Sequence, residues 1–159
     1  MLLTQMKNTL IKWLATGLGF GLSPIMPGTV GTLWGIPLAW GVMLLPTLWC
    51  QIGTCLILTL IAIPICGAAE KIIGGKDPGC IVADEYLTLP ITIIGLASPW
   101  ALLSGFVFHR IFDITKPPPI KQLEHIHGGF GITIDDFLAA LIALVCNHLL
   151  FRVIVPMLG

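Results

Sequence analysis

Two long stretches without a charged side chain dominate this sequence. Residues 29–49 and residues 51–69 are almost entirely apolar, and each is long enough to cross a hydrocarbon core of about 30 Å as an α-helix. A hydrocarbon core offers no water to backbone N–H and C=O groups, so the helix, which satisfies these groups internally, is the structure expected there. The pattern predicts an all-α, polytopic integral membrane protein.

The composition supports this prediction and excludes one class of partner. Only 10% of the 159 residues are charged, against about 25% in ordinary soluble domains. The formal net charge is zero, so no basic surface is available to neutralise a nucleic-acid backbone. The five cysteines are odd in number and mostly lie in apolar surroundings, which predicts small packing residues rather than a zinc site. The length predicts a single domain over residues 1–159.

Two further apolar regions follow the first two spans. Residues 86–112 are interrupted at Ser98-Pro99-Trp100, which leaves two pieces that are short for a crossing, so a re-entrant helical hairpin and two short spans both fit. Residues 137–158 predict the final span, and Asp135 and Asp136 are expected in its first turn, where the helix dipole favours acids. The prediction is therefore about four membrane-embedded helical segments in addition to an N-terminal helix. Pro64 is expected to kink the second span rather than end it.

The charged residues are unevenly distributed along this topology. Seven of the eight basic residues fall on one face, and the positive-inside bias makes that face cytoplasmic. All eight acids lie between Glu70 and Asp136, in segments that the topology places on the same face. The sequence therefore predicts an acidic functional site at the cytoplasmic surface of the membrane.

The residue types in this region indicate phosphoryl chemistry. Oxygen-only carboxylate clusters suit Mg²⁺. Arg110 and Asp113 are three residues apart and would share a helix face, so that Arg110 can bind phosphate oxygens while Lys116 adds a point charge. The candidate metal ligands are Asp77, Asp84, Glu85, Asp135 and Asp136. The alternative that these residues leave open is an ion-coupled transporter or channel that uses the acidic cluster as a cation site.

Other local patterns are weaker. The glycine-rich segment that follows Pro27, "GTVGTLW", lacks the lysine of a nucleotide-binding loop, although backbone N–H groups there offer a phosphate contact. His125 and His127 are either metal ligands or surface residues, and the surface interpretation is favoured. His109 and His148 are expected to be packing or interfacial residues.

Four motifs occur in an order that resembles a known family. "GLSPIMPGTVGTL", "DPGCIVADE", "FHRIFDITKPPPI" and "HGGFGITIDD" are similar to segments of the phosphatidylglycerophosphatase A family. These are bacterial membrane enzymes that remove the terminal phosphate of phosphatidylglycerophosphate to give phosphatidylglycerol. The resemblance runs from about Gly17 to Ala143 and covers nearly the whole chain.

The resemblance implies a Mg²⁺-dependent phosphatase of the bacterial cytoplasmic (inner) membrane whose partner is a lipid substrate. By position it assigns functional roles to Asp77, Asp84, Glu85, Asp113, Asp135 and Asp136, with Arg110 and Lys116 as phosphate-binding residues. We expect Asp84, Glu85, Asp113 and Asp136 to be catalytic, with Asp84 a metal ligand and Glu85 a ligand or the general base, and an aspartyl-phosphate intermediate stays open. Thr88 stands where the family usually has glycine. The number of metal ions and the oligomeric state are left open.

Overall fold

The structure, a computed structural model, describes residues 2–118, 120–123 and 125–158. Glu124, one of the eight acids, and Pro119, in the motif "FHRIFDITKPPPI", lie outside the described residues. All regular structure in the described residues is helical and none is a strand, so the all-α prediction is confirmed. The α-helices are α1 (Leu2–Ala15), α2 (Pro27–Thr32), α3 (Gly35–Met43), α4 (Leu48–Ile73), α5 (Ala83–Thr88), α6 (Pro99–Thr115), α7 (Ile120–Leu123), α8 (Gly128–Leu149) and α9 (Val155–Leu158). Phe20–Leu22 and Leu89–Ile93 are 3₁₀-helical, and Leu150–Ile154 is a π-helical turn.

The two longest helices form the centre of the bundle. α4 begins after Thr47, whose side chain accepts a hydrogen bond from Cys50 N, and it continues through Pro64 without a break, as predicted. α8 runs on through the π-helical turn, so that Gly128–Met157 is one helical segment of 30 residues. Both helices are long and apolar enough to cross a membrane, and only 22% of each apolar window is buried inside the protein.

Contacts at both ends show that α4 and α8 are antiparallel. Near the end of α4, Gly67 approaches Gly129 so closely that a Cβ on Gly129 would lie 2.6 Å from Gly67 N. At the opposite end of the bundle, Gln51 Oε1 accepts a hydrogen bond from Gly95 N at 2.8 Å, and Arg152 Nη2 donates to Gly95 O at 3.1 Å. Gly95 therefore marks the end of the bundle that lies opposite Gly67 and Gly129.

The segment from α5 to α6 is a hairpin whose turn lies at this opposite end. α5 and the 3₁₀ turn that follows it lead to Gly95, where φ is +75°, and α6 returns. The predicted interruption at residues 98–100 is confirmed, because α6 begins with Pro99 in its first turn. α6 has 17 residues and is about 25 Å long, so the hairpin extends along most of the bundle.

The predicted span at residues 29–49 is wrong, and the described residues contain two candidate membrane-spanning helices, fewer than the four or so membrane-embedded segments predicted. The region forms α2 and α3, of which the longer has nine residues and is about 14 Å long, short of the roughly 30 Å required. The physical reason is a line of glycines that packs against α5. A Cβ on Gly31 would lie 2.5 Å from Val82 Cβ, and a Cβ on Gly35 would lie 2.6 Å from Leu89 Cδ2. Residues predicted to face lipid instead cover the start and the end of α5.

The predicted start of the last helix is also wrong. α8 begins at Gly128, so Asp135 and Asp136 lie about two turns inside the helix. The glycines at its start are helical because they fit tight contacts: Gly129 meets the backbone of α4 at Ile63 and Gly67. The helix-dipole explanation for the two acids therefore does not apply, because that effect is confined to the first turn.

Candidate functional site

Asp84 and Glu85 occupy the first turn of α5 and are both buried, at 5% and 9% exposure. The backbone of α1 fixes the entry to this helix, because Val82 N donates to Ala15 O at 2.8 Å. Burial raises the pKa of Asp84 to about 7. Burial, together with repulsion from Asp84, raises the pKa of Glu85 to about 8, although the nearby Arg110 lowers it. Both carboxyl groups are thus held in a setting that disfavours their charged forms.

Asp84 interacts directly with Asp136, which α8 brings to the same place. Asp136 is 4% exposed, and the two carboxyl groups are close enough to influence each other's ionisation. Oδ1 of each residue is buried and has no hydrogen-bond partner among the described residues. The fully buried His109 lies near Asp136, with its Nε2 3.7 Å from Asp136 Oδ1. These two buried carboxylate oxygens therefore accept no hydrogen bond from any of the described residues.

Arg110 connects Glu85 to α6 and α2. Its Nη1 donates to Glu85 Oε2 at 2.6 Å and to Asp113 Oδ2 at 2.5 Å, and it lies 3.3 Å from Thr32 Oγ1. The predicted Arg110–Asp113 pair on one helix face is present. Glu85, which the sequence predicts as a metal ligand or base, forms an ion pair with Arg110.

The contacts of Arg110 are concentrated on one nitrogen. All three use Nη1, whereas Nε is buried without a hydrogen-bond partner among the described residues. Nη2 lies next to Gly28, where an added Cβ would come within 2.8 Å of it. Nε and Nη2 together form a planar edge of the guanidinium, and such an edge suits two oxygens of a phosphate.

A charged cleft of about 270 Å³ lies beside this cluster. Lys116 ends α6 with a left-handed backbone, φ +41°, and its Nζ donates to Asp135 Oδ2 at 3.2 Å. Burial raises the pKa of Asp77, an effect that the positive charge of Lys116 opposes. The side chains that line the cleft are Glu70, Lys76, Asp77, Lys116, Ile126, Ile132 and Asp135, together with Gly131.

The predicted residues therefore converge but divide into three groups. Asp84 pairs with Asp136, and Glu85 and Asp113 bind Arg110. Asp77, Asp135 and Lys116 line the cleft. His125 and His127 are exposed, which agrees with their interpretation as surface residues.

Two buried residues of the site were missed by the sequence analysis. Thr32 is fully buried and donates a hydrogen bond to Glu85 Oε2, and its position in the glycine-rich segment was the only signal. His109 was expected to be a packing or interfacial residue, and only its place directly before Arg110 pointed to the site.

Thr88, which replaces the expected glycine, is fully buried, donates to Asp84 O at 2.7 Å and lies 3.4 Å from His109 Nε2. The close packing next to the acids is therefore retained with threonine.

No group of three or more His, Cys, Asp and Glu side chains within the described ranges is arranged to hold a metal ion. Mg²⁺ does not need such a group, since it is usually bound by one or two carboxylates, several waters and the phosphate of a substrate. The Asp84–Asp136 pair, with an unpartnered Oδ1 on each carboxyl group, is a donor set of this kind.

The fold and the site together define an all-helical protein with two candidate membrane spans and a buried carboxylate pair beside an arginine. The chain belongs to the phosphatidylglycerophosphatase A family, whose model matches residues 13–151. Phosphatidylglycerophosphatase A of Escherichia coli (strain K12) is 40% identical over 137 residues, which cover 82% of this chain and 77% of that protein.

Two further relatives match over a similar length. Phosphatidylglycerophosphatase A of Haemophilus influenzae is 40% identical over 142 residues, 85% of each chain. A Bacteroides thetaiotaomicron protein, provisionally named phosphatidylinositol-3-phosphatase, is 32% identical over 143 residues, 83% of this chain and 87% of that protein. No solved structure gives a significant match.

Proposed function

We propose that this protein hydrolyses the phosphomonoester of phosphatidylglycerophosphate to give phosphatidylglycerol and inorganic phosphate. The oxygen of water forms a bond to phosphorus, the bond from phosphorus to the glycerol oxygen breaks, and that oxygen takes up a proton. The observation that carries the proposal is the match to phosphatidylglycerophosphatase A over residues 13–151, a range that includes the buried acids and Arg110. The relatives are named as phosphatases, which gives the transporter alternative no support.

The site is proposed to lie at the cytoplasmic surface of the bacterial inner membrane, in a multi-pass protein. Support comes from the outward-facing apolar surfaces of α4 and α8, which would contact lipid. Arg152 lies at the end of the bundle marked by Gly95, whereas Arg110 and Lys116 lie at the end with the acids. This bias in the basic residues favours a cytoplasmic position for the acidic end.

Mg²⁺ is proposed as the cofactor, with Asp84 and Asp136 as the residues that hold it. The support is chemical: both are buried acids with one oxygen that has no hydrogen-bond partner in the part of the chain that the structure describes, and hard cations prefer oxygen ligands. Bound Mg²⁺ would neutralise part of the charge on the phosphate and orient it for attack.

The protein's own cations would complete the phosphate site. Glu85 and Asp113 hold Nη1 of Arg110 in place, and the Nε–Nη2 edge, which makes neither of these bonds, would bind two oxygens of the phosphate. Lys116, which faces the cleft, supplies a second positive charge near Asp135 and Asp77. Positive groups that are already in position stabilise charge that redistributes in the transition state.

The test measures phosphate release from phosphatidylglycerophosphate by purified protein in mixed micelles. We expect release that chelator abolishes and added Mg²⁺ restores, and we expect Asp84→Asn to lose nearly all of it at any Mg²⁺ concentration. Full activity in chelator would contradict the cofactor, and full activity of Asp84→Asn would contradict the assigned residue. Metal-dependent ion flux in liposomes without phosphate release would instead favour the transporter.

A further inference from the structure

Thr32 lies in the site, although no role was predicted for it from the sequence. It is the last residue of α2, and its side chain is fully buried. α2 reaches this position because Gly28 and Gly31, on the same side of the helix, allow its backbone to lie directly on Glu85 and Val82. The glycine-rich segment therefore delivers one hydroxyl group to the Glu85–Arg110 ion pair.

The hydroxyl of Thr32 makes contacts with both members of that pair. Its oxygen lies 3.3 Å from Arg110 Nη1, from which it accepts a hydrogen bond. Its single hydrogen is within reach of two acceptors, Glu85 Oε2 and, at 2.7 Å, Gly28 O. The Gly28 carbonyl belongs to the same helix, so the hydroxyl also ties the ion pair to α2.

These contacts have a consequence for the orientation of Arg110. An ion pair on its own allows the guanidinium to turn and to exchange which nitrogen faces the carboxylate. Thr32, Glu85 and Asp113 all meet at Nη1, and three partners restrict the guanidinium more than the two carboxylates would alone. In the observed orientation Nε and Nη2 carry none of these bonds.

We propose that Thr32 is a positioning residue for phosphate binding: its hydroxyl holds Glu85 and Arg110 in register, so that Nε and Nη2 of Arg110 receive the substrate phosphate. The proposal rests on the proposed function. The role of the glycine-rich segment is then to position this hydroxyl, rather than to bind the phosphate through its own backbone N–H groups.

The experiment compares Thr32→Val, which keeps the shape of the side chain and removes the hydroxyl, with Thr32→Ser, which keeps the hydroxyl and removes a methyl group. Thr92→Val is the matched control, because Thr92 is also fully buried and donates to a backbone carbonyl, that of Leu89 at 2.8 Å, away from the acids. Each variant is assayed for kcat and KM on phosphatidylglycerophosphate. The Kd for inorganic phosphate is measured from the phosphate-dependent rise in Tm.

We expect Thr32→Val to raise KM and the Kd for phosphate by about tenfold or more, the scale of one hydrogen bond to a charged group. Thr32→Ser should stay within about threefold of wild type, a difference below that of one hydrogen bond. Thr92→Val should leave both constants unchanged. If the side chain of Thr32 only fills space, the order of the two Kd values reverses, and Thr32→Val binds phosphate better than Thr32→Ser.

Any result in which the two Thr32 variants behave alike, or in which serine is worse than valine, overturns the proposal. Its failure is distinguishable from failure of the proposed function. A wild-type protein that releases no phosphate from phosphatidylglycerophosphate refutes the proposed function, whereas the phosphate Kd values still decide the role of Thr32.

Discussion

Replacing Arg110 by lysine removes the shape of the guanidinium and keeps its charge. In the structure one nitrogen, Nη1, already binds Glu85 at 2.6 Å and Asp113 at 2.5 Å. A lysine ammonium is a single donor centre. It can replace Nη1 between the two carboxylates, or it can reach a phosphate, but it cannot do both.

The expected cost follows from the bonds that the lysine variant loses. The Nε–Nη2 edge offers two charge-assisted hydrogen bonds to a phosphate, each worth about 1.5–3 kcal/mol. Their loss corresponds to about 3–6 kcal/mol, or a decrease in kcat/KM of roughly 10² to 10⁴. The folded state should suffer less, because the ammonium still compensates Glu85 and Asp113, which are largely buried. We therefore expect Arg110→Lys to be folded and nearly inactive.

The assay is steady-state phosphate release from phosphatidylglycerophosphate, with Tm measured on the same preparations. Arg110→Ala is the comparison, since it leaves two buried carboxylates without a partner and should also lower Tm. A value of kcat/KM for Arg110→Lys within about threefold of wild type, less than the effect of one hydrogen bond, would refute the reasoning. It would mean that the charge alone binds the phosphate.

Three further predictions concern other parts of the site. Gly28→Ala should lower the rate of phosphate release by at least about tenfold, because the added Cβ would lie 2.6 Å from Glu85 Oε1. Full activity of this variant would show that the Glu85–Arg110 ion pair can shift without loss of function. In chelator, Tm should fall as the pH rises from about 4 to about 7. Burial raises the pKa of Asp84 from 3.8 to about 7 in the folded protein, so in this range the unfolded chain releases the proton that the folded protein keeps, and rising pH favours unfolding. Mg²⁺ should reduce that fall, and a Tm that is flat with pH in chelator would contradict the burial of the acid. Lys116→Met should raise KM more than it lowers kcat, since Lys116 lines the open cleft; an effect on kcat alone would place Lys116 in the chemical step.

Much of the site could be predicted because its residues are rare in this composition. In a chain with 10% charged residues, an acid next to an apolar region is unusual and indicates a functional role. Asp84 and Asp136 were therefore identifiable from the sequence. The Arg110–Asp113 pair followed from helix periodicity. The break before Pro99 followed from the local effect of proline.

The parts that could not be predicted depend on contacts between distant segments. Residues 29–49 have the composition of a membrane span, and only the tertiary contacts of Gly31 and Gly35 with Val82 and Leu89 show that they pack on protein. Glu85 has the chemistry of a metal ligand, and its pairing with Arg110 depends on how α5 meets α6. A hydroxyl such as that of Thr32 has no sequence pattern of its own.

The hairpin formed by α5 and α6 makes the site sensitive to chain length in a particular way. Glu85 stands near the start of one arm and Arg110 near the end of the other, and the turn at Gly95 lies at the far end of the bundle. One residue inserted into α6 before Arg110 would rotate that side chain by about 100° away from Glu85. The same residue inserted into the turn would be absorbed there. We therefore expect an insertion in the turn at Gly95 to leave the Glu85–Arg110 pair in place, whereas an insertion within α5 or α6 breaks it.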